Sequence, residues 1–267
     1  MEPRLRIRDR LRKLLASLTA RRLALAFGLV LAVGLVLAVG LSGCAVKAKD
    51  PVVRSSKDGR FVVVLHGEAD KRLAKPVLAL LEANADRVKA DLGVQDSSTY
   101  TVHVRSDTRE FLSIMQKLTG SSFPDCTGYI SGRHRAELMV NPELAQDAFH
   151  EYVHSMSLFL QRNWYNKPRW LWESLAIYES GEFYDPKDIS YMAARDFPSL
   201  DELDKEFGDS KLIYTTGFLL LEFMKETWGM PAVLDLVRQS GNIPAVFGIS
   251  RGEFEKKWAE YVTEKYL

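Results

Sequence analysis

"FHEYVHSMSLFL", residues 149–160, places His150 and His154 four apart with Glu151 between them. It follows Asn141 and Pro142, a capping side chain and then a proline at the first helical position, where proline is tolerated. The helix so begun is expected to run to Gln161. Its apolar positions Leu144, Phe149, Val153, Met156, Phe159 and Leu160 leave both histidines on one face, a turn apart. Two imidazoles at that spacing can reach one Zn²⁺ ion through nitrogens at about 2.0–2.1 Å. Glu151, next to them, can face an open coordination position and take a proton from water there.

A catalytic zinc needs a third protein ligand. The chain has five histidines, and His66, His103 and His134 all lie upstream on expected strands or turns. Downstream, "NKPRWLWESLAIYESG" (166–181) reads as a second helix, started by Pro168 and stopped by Gly181. It contains Glu173, with 18 residues between it and His154. That length lets the first helix finish, the loop "NWYNK" turn, and an antiparallel helix bring a carboxylate back.

"HEYVH" followed by "PRWLWESLAIY" resembles the gluzincin metallopeptidases, in particular the small thermolysin-like domains called peptidase-MA-like. Their second helix typically carries P-x-W-L-x-E-G-x-A-x-Y. Pro168, Trp170, Leu171, Glu173, Ala176 and Tyr178 match it, and Ser174 stands where glycine is common. The resemblance spans roughly Glu137 to the C-terminus. It implies that His150, His154 and Glu173 bind one zinc ion and that Glu151 is the general base. It also implies an oxyanion donor at Tyr214, at the start of "LIYTTGFLLLEFMKETWG" (212–229), with His134 a weaker second candidate. Many gluzincins place an acid four residues after the glutamate ligand, where it orients a histidine ligand. Here that position is Ile177, so Glu179 or a backbone carbonyl takes the role, or the metal is held less firmly. In similar folds "AELMV" (136–140) is an exposed edge strand that binds an extended peptide; otherwise it is an internal strand.

The rest of the body frames this helical half. "RFVVVLHG" (60–67) is apolar and β-branched, a buried strand. A helix follows over residues 70–92, with Pro76 in its first two turns. "YTVHVRS" (100–106) alternates as a half-buried strand. A helix capped by Asp107 runs to Gly120, and two short strands flank Gly132. The expected fold class is α+β: a small mixed N-terminal sheet with helices, then an all-helical half carrying the zinc helix. Residues 60–267 read as one domain, and the C-terminal helix opens with Ser250 and Glu253 in capping positions. Its Phe254, Trp258 and Tyr261 lie at helical spacing, as core residues do.

The first residues set the location. Eight Lys/Arg against two acids in residues 1–43 precede "LALAFGLVLAVGLVLAVGL" (23–41), in which "LVLAVG" occurs twice in tandem. Nineteen apolar residues can span a bilayer, with the arginines holding the N-terminus in the cytoplasm. "LSGC" (41–44) has the form of a bacterial lipoprotein signal, with Cys44 as the lipidated residue; the alternative is an uncleaved signal anchor. Residues 1–43 are thus signal or anchor, and 44–59, polar and aperiodic, a tether. The body faces the extracytoplasmic side of the cell envelope, held to its membrane, with peptides or proteins there as partners. Beyond residue 43 the net charge is −5, which gives no reason to expect nucleic acid. Two cysteines exclude a disulfide framework. Cys126 reads as a small buried hydrophobe or, in a latent form, a thiolate masking the metal.

The leading expectation is a membrane-tethered, zinc-dependent peptidase. The alternative is an envelope domain that binds peptides or proteins without cleaving them, on a degenerate zincin fold. An esterase or amidase would use the same zinc.

Overall fold

A computed structural model of the chain describes residues 50–205 and 211–267. The expected signal or anchor over 1–43, with Cys44, lies outside these residues. Among the described residues no helix is long and apolar enough to cross a membrane.

The fold is α+β, a five-stranded mixed sheet followed by helices. The strands are β1 (Val52–Ser55), β2 (Phe61–His66), β3 (Tyr100–Arg105), β4 (Gly128–Ile130) and β5 (Arg135–Met139), in spatial order β1-β2-β3-β5-β4. The central pairs β2–β3 and β3–β5 are parallel, and both outer pairs are antiparallel. Alternation assigns the faces. Phe61, Val63, Leu65, Tyr100, Val102, Val104, Ala136 and Leu138 are buried on one side. The other side carries Val62, Val64, His66, Thr101, His103, Arg105, Arg135 and Glu137.

The long helices are α1 (Ala74–Leu92), α2 (Thr108–Thr119), α3 (Leu144–Ser157), α4 (Arg169–Ser180), α5 (Leu212–Arg238, kinked at Gly229) and α6 (Arg251–Tyr266). α1 turns Val77, Leu81, Ala85 and Val88 inward and packs against α3 and β2. It starts at Ala74, so Pro76 falls in the first turn, where its missing N–H leaves no helical bond broken. Asp107 caps α2 by accepting from the Glu110 N–H, as expected. α4 is buried on nearly every side, the pattern of a helix inside a core. It packs against α5 at a crossing where a Cβ on Gly217 would lie 2.8 Å from Ile177 Cδ1 and 3.2 Å from Ser174 Cα. Phe254 and Trp258 of α6 are buried as expected, while Tyr261 is half-buried and donates to Glu222 and Glu226.

Three expectations need correction. The segment 44–59 is not tether throughout: Val52–Ser55 pairs antiparallel with β2 as an edge strand, because "VVRS" is β-branched enough to extend the sheet. "AELMV" is internal. β5 lies between β3 and β4, and the outer strand on that side is β4. The helix carrying the two histidines is shorter at both ends, Leu144–Ser157. Asn141 accepts from the Glu143 N–H at 2.8 Å and donates to Asp147 at 2.9 Å, fixing a turn ahead of α3.

Candidate metal centre

α3 presents His150 and His154 one turn apart, 8% and 4% exposed, and α4 presents Glu173, 6% exposed. The Nε2 atoms of the two imidazoles lie 3.0 Å apart. Glu173 Oε2 is 3.3 Å from His150 Nε2 and 3.5 Å from His154 Nε2. The imidazole planes cross at 83° with centroids 4.6 Å apart. One atom from each of the three residues thus converges within 4.8 Å, and this buried group can hold a metal ion. The donor set, two imidazole nitrogens and one carboxylate oxygen, suits a divalent metal and leaves a position open.

Charge follows this geometry. Burial disfavours ionising Glu173, but hydrogen bonds from both histidines and their charge hold its carboxyl well below the usual range. His154 is pushed down to about 4, chiefly by burial, which keeps it a neutral ligand. Burial opposes charge on His150 as well. There the Glu182 carboxylate and the bonds to Glu173 and Glu182 outweigh it, and the imidazole is held well above its ordinary value.

Glu182 supplies what neither Ile177 nor Glu179 does. Its Oε1 sits 2.8 Å from His150 Nδ1 and accepts from Ser180 Oγ at 2.5 Å. Glu179 instead pairs with Arg87, which also donates to the Glu179 carbonyl. The bracing acid therefore comes from just past the helix end, where Gly181 (φ 79) turns the chain back over α3. No helical spacing links residue 182 to Glu173, so the sequence carried no signal for it beyond an acid after a terminating glycine.

Glu151, 8% exposed, lies beside the converging atoms without being one of them. Burial raises its pKa to about 8, opposed by the His150 charge and supported by Glu173, Asp147 and Glu182. A bound cation would favour its ionised form. β4 runs against this carboxylate: a Cβ on Gly128 would stand 3.1 Å from Glu151 Oε1 and 2.5 Å from a Leu138 methyl. Only glycine lets the edge strand's backbone come this close.

Tyr214 opens α5, half-buried, with the Arg169 guanidinium carbon 5.4 Å from its ring centroid. Burial raises its pKa, and the Glu173 and Glu151 carboxylates raise it further, so the phenol is within electrostatic reach of both. His134 points elsewhere, 3.3 Å from Asp96 and edge-on to Phe159. His66 and His103 face each other on the far side of the sheet. Cys126 is half-buried, and its Sγ donates to the Gly128 carbonyl at 2.8 Å. Burial, then the Glu151 charge, pushes the thiol up to about 12, so it stays protonated at neutral pH.

Ser174, where glycine is common in the second-helix motif, donates to the Trp170 carbonyl at 2.6 Å and faces Gly217 of α5. The close approach of the two helices there is accommodated by Gly217 of α5. No family model matches the chain and no curated protein matches it.

Proposed function

We propose that this chain is a membrane-tethered, zinc-dependent peptidase of the cell envelope, of the gluzincin type. The observation that carries the reading is Glu151. Three ligand atoms converge without it, yet a fourth ionisable side chain is held beside them, against the backbone of an edge strand. A site serving only to hold a metal has no use for that acid.

His150, His154 and Glu173 would hold the zinc, and Glu182 would fix His150 through Nδ1. Bound zinc supplies Lewis acidity toward water and toward a carbonyl. Glu151 takes the proton of the attacking water at the carboxylate turned toward Gly128 and delivers it to the leaving amine. The Tyr214 phenol donates to the developing oxyanion. The outer edge of β4 would accept the substrate as an added strand, which would align a peptide backbone beside Glu151. The lipid at Cys44, or the uncleaved apolar segment, keeps the body at the membrane.

The test uses the full chain in detergent. About one zinc per chain is expected in wild type and none in Glu173→Ala. Glu151→Gln is expected to keep zinc and to lose peptide cleavage by roughly 10²–10⁴-fold. Zinc binding with no cleavage of a mixed peptide pool would favour the non-catalytic binding domain instead.

A further inference from the structure

The two histidine ligands are braced in different ways. His150 has a carboxylate on Nδ1, the usual arrangement for a metal-binding imidazole. His154 has none: its Nδ1 is buried and has no protein hydrogen-bond partner among the described residues. Its ring lies flat on the indole of Trp172, with centroids 4.3 Å apart and planes 9° from parallel.

Trp172 is itself fixed. It is 5% exposed, and Trp164 meets it edge-on at 5.1 Å with planes at 76°, while Tyr165 closes a further side at 6.2 Å. It also immediately precedes Glu173 on α4. One helical position therefore holds the face of the His154 ring, and the next reaches its Nε2 from Glu173 at 3.5 Å. Consecutive helix residues point about 100° apart, so the face and the edge of a single imidazole are both addressed by one short segment.

We infer that Trp172 is a positioning residue that fixes the His154 ring plane for metal binding, by stacking where His150 is fixed by a hydrogen bond. This rests on the metal-binding reading of His150, His154 and Glu173. A flat aromatic can hold a ring plane, because offset stacking penalises tilting out of the stack. It does not constrain rotation within that plane; α3 and Glu173 do that. The arrangement makes the two ligands unequal: His150 is tied to a charged partner, and His154 is kept neutral against an apolar one.

The test measures metal binding by the full chain in detergent, after chelator treatment, for wild type, Trp172→Phe and Trp172→Leu. Zn²⁺ affinity is read by competition with a coloured chelator, and the quenching of tryptophan emission is followed as Co²⁺ is added. Trp172→Leu is expected to bind Zn²⁺ roughly tenfold more weakly. Trp172→Phe, which keeps a flat ring, should stay within about threefold of wild type. Co²⁺ should quench wild-type emission at one equivalent, and most of that quenching should vanish in Trp172→Phe. Zn²⁺ affinity in a folded Trp172→Leu equal to wild type overturns the inference, as does Co²⁺ binding without quenching. If the leucine variant does not fold, the quenching comparison between wild type and Trp172→Phe decides. If wild type itself binds neither metal, the metal reading fails, and the inference with it, before any change at Trp172 is made.

Discussion

Two pairs of histidines sit on opposite sides of this molecule's sheet with almost the same nitrogen separation. His150 and His154 on α3 are 3.0 Å apart, and His66 and His103 on neighbouring strands are 2.9 Å apart. Ring geometry separates them. The helix pair crosses at 83° with centroids 4.6 Å apart, and Glu173 Oε2 lies 3.3 Å from His150 Nε2 and 3.5 Å from His154 Nε2. The strand pair is tilted by only 20° with centroids 5.2 Å apart, wider than the helix pair despite the shorter nitrogen contact. Its nitrogens point at each other, one donating and one accepting. The nitrogen separations are nearly equal; what sets the helix pair apart as part of a group that could hold a metal ion is the third donor, Glu173.

The surroundings agree with that division. The helix pair has the Glu173 carboxylate beside both Nε2 atoms and the Glu182 carboxylate at His150 Nδ1. The strand pair lies near Arg105 and Arg135, whose positive charge disfavours both a cation and a protonated imidazole. Those arginines are held by Glu137, a fully buried residue of β5, and Arg105 also pairs with Glu110.

Removing one member of each group should give the largest difference between the two sites. Glu173→Ala should empty the helix site, while His103→Gln should leave about one zinc per chain, both read by metal analysis of the purified protein. Zinc lost in His103→Gln but kept in Glu173→Ala would reverse the assignment of the two pairs. A smaller effect sharpens it. Glu182→Gln keeps a hydrogen-bond acceptor at His150 but removes the charge, and it should weaken zinc binding by roughly 10–100-fold. Glu179→Gln, whose parent carboxylate is taken by Arg87, should leave zinc affinity unchanged. Equal losses in both variants would mean that general electrostatics, and not the Nδ1 contact, braces the ligand.

These contrasts also mark what the sequence could show. The i, i+4 histidines and the helix bounded by Pro168 and Gly181 were legible because helical periodicity is local, and their convergence with Glu173 follows from an antiparallel return of fixed length. Four of the sheet's five strands were legible for the same reason; β1, four residues within a polar stretch, reads as tether. The order of the strands was not legible, since pairing is set by contacts between distant segments. That is why β5 could pass for an edge and β4, three residues long, could not be recognised as one. Glu182 and Trp172 stayed hidden for a further reason. Each acts through a single tertiary contact, one across a helix terminus and one across a helix interface, and neither contact imposes a spacing on the sequence.

The smallest expected effect concerns acid. Burial first, then Arg135, His66 and Arg105, pushes His103 down to about 3, and burial with Arg105 lowers His66 in the same direction. An unfolded histidine titrates near 6.5. Between these values the unfolded chain binds a proton at His103 that the folded chain refuses. Stability therefore rises with pH across this window and is fully present above about 6.5. As pH falls from there toward 3, the contribution is progressively lost. One such proton accounts for at most about 1.4 kcal/mol per pH unit, and because both rings are only half-buried, solvent screening reduces this. His103→Gln should flatten the fall in unfolding free energy between pH 6.5 and 4, measured by urea denaturation of the metal-free protein. The unchanged helix pair would contribute equally to both proteins. An identical slope in the variant would show that the strand pair takes up protons without cost, and so that its nitrogens are not locked against each other as their geometry implies.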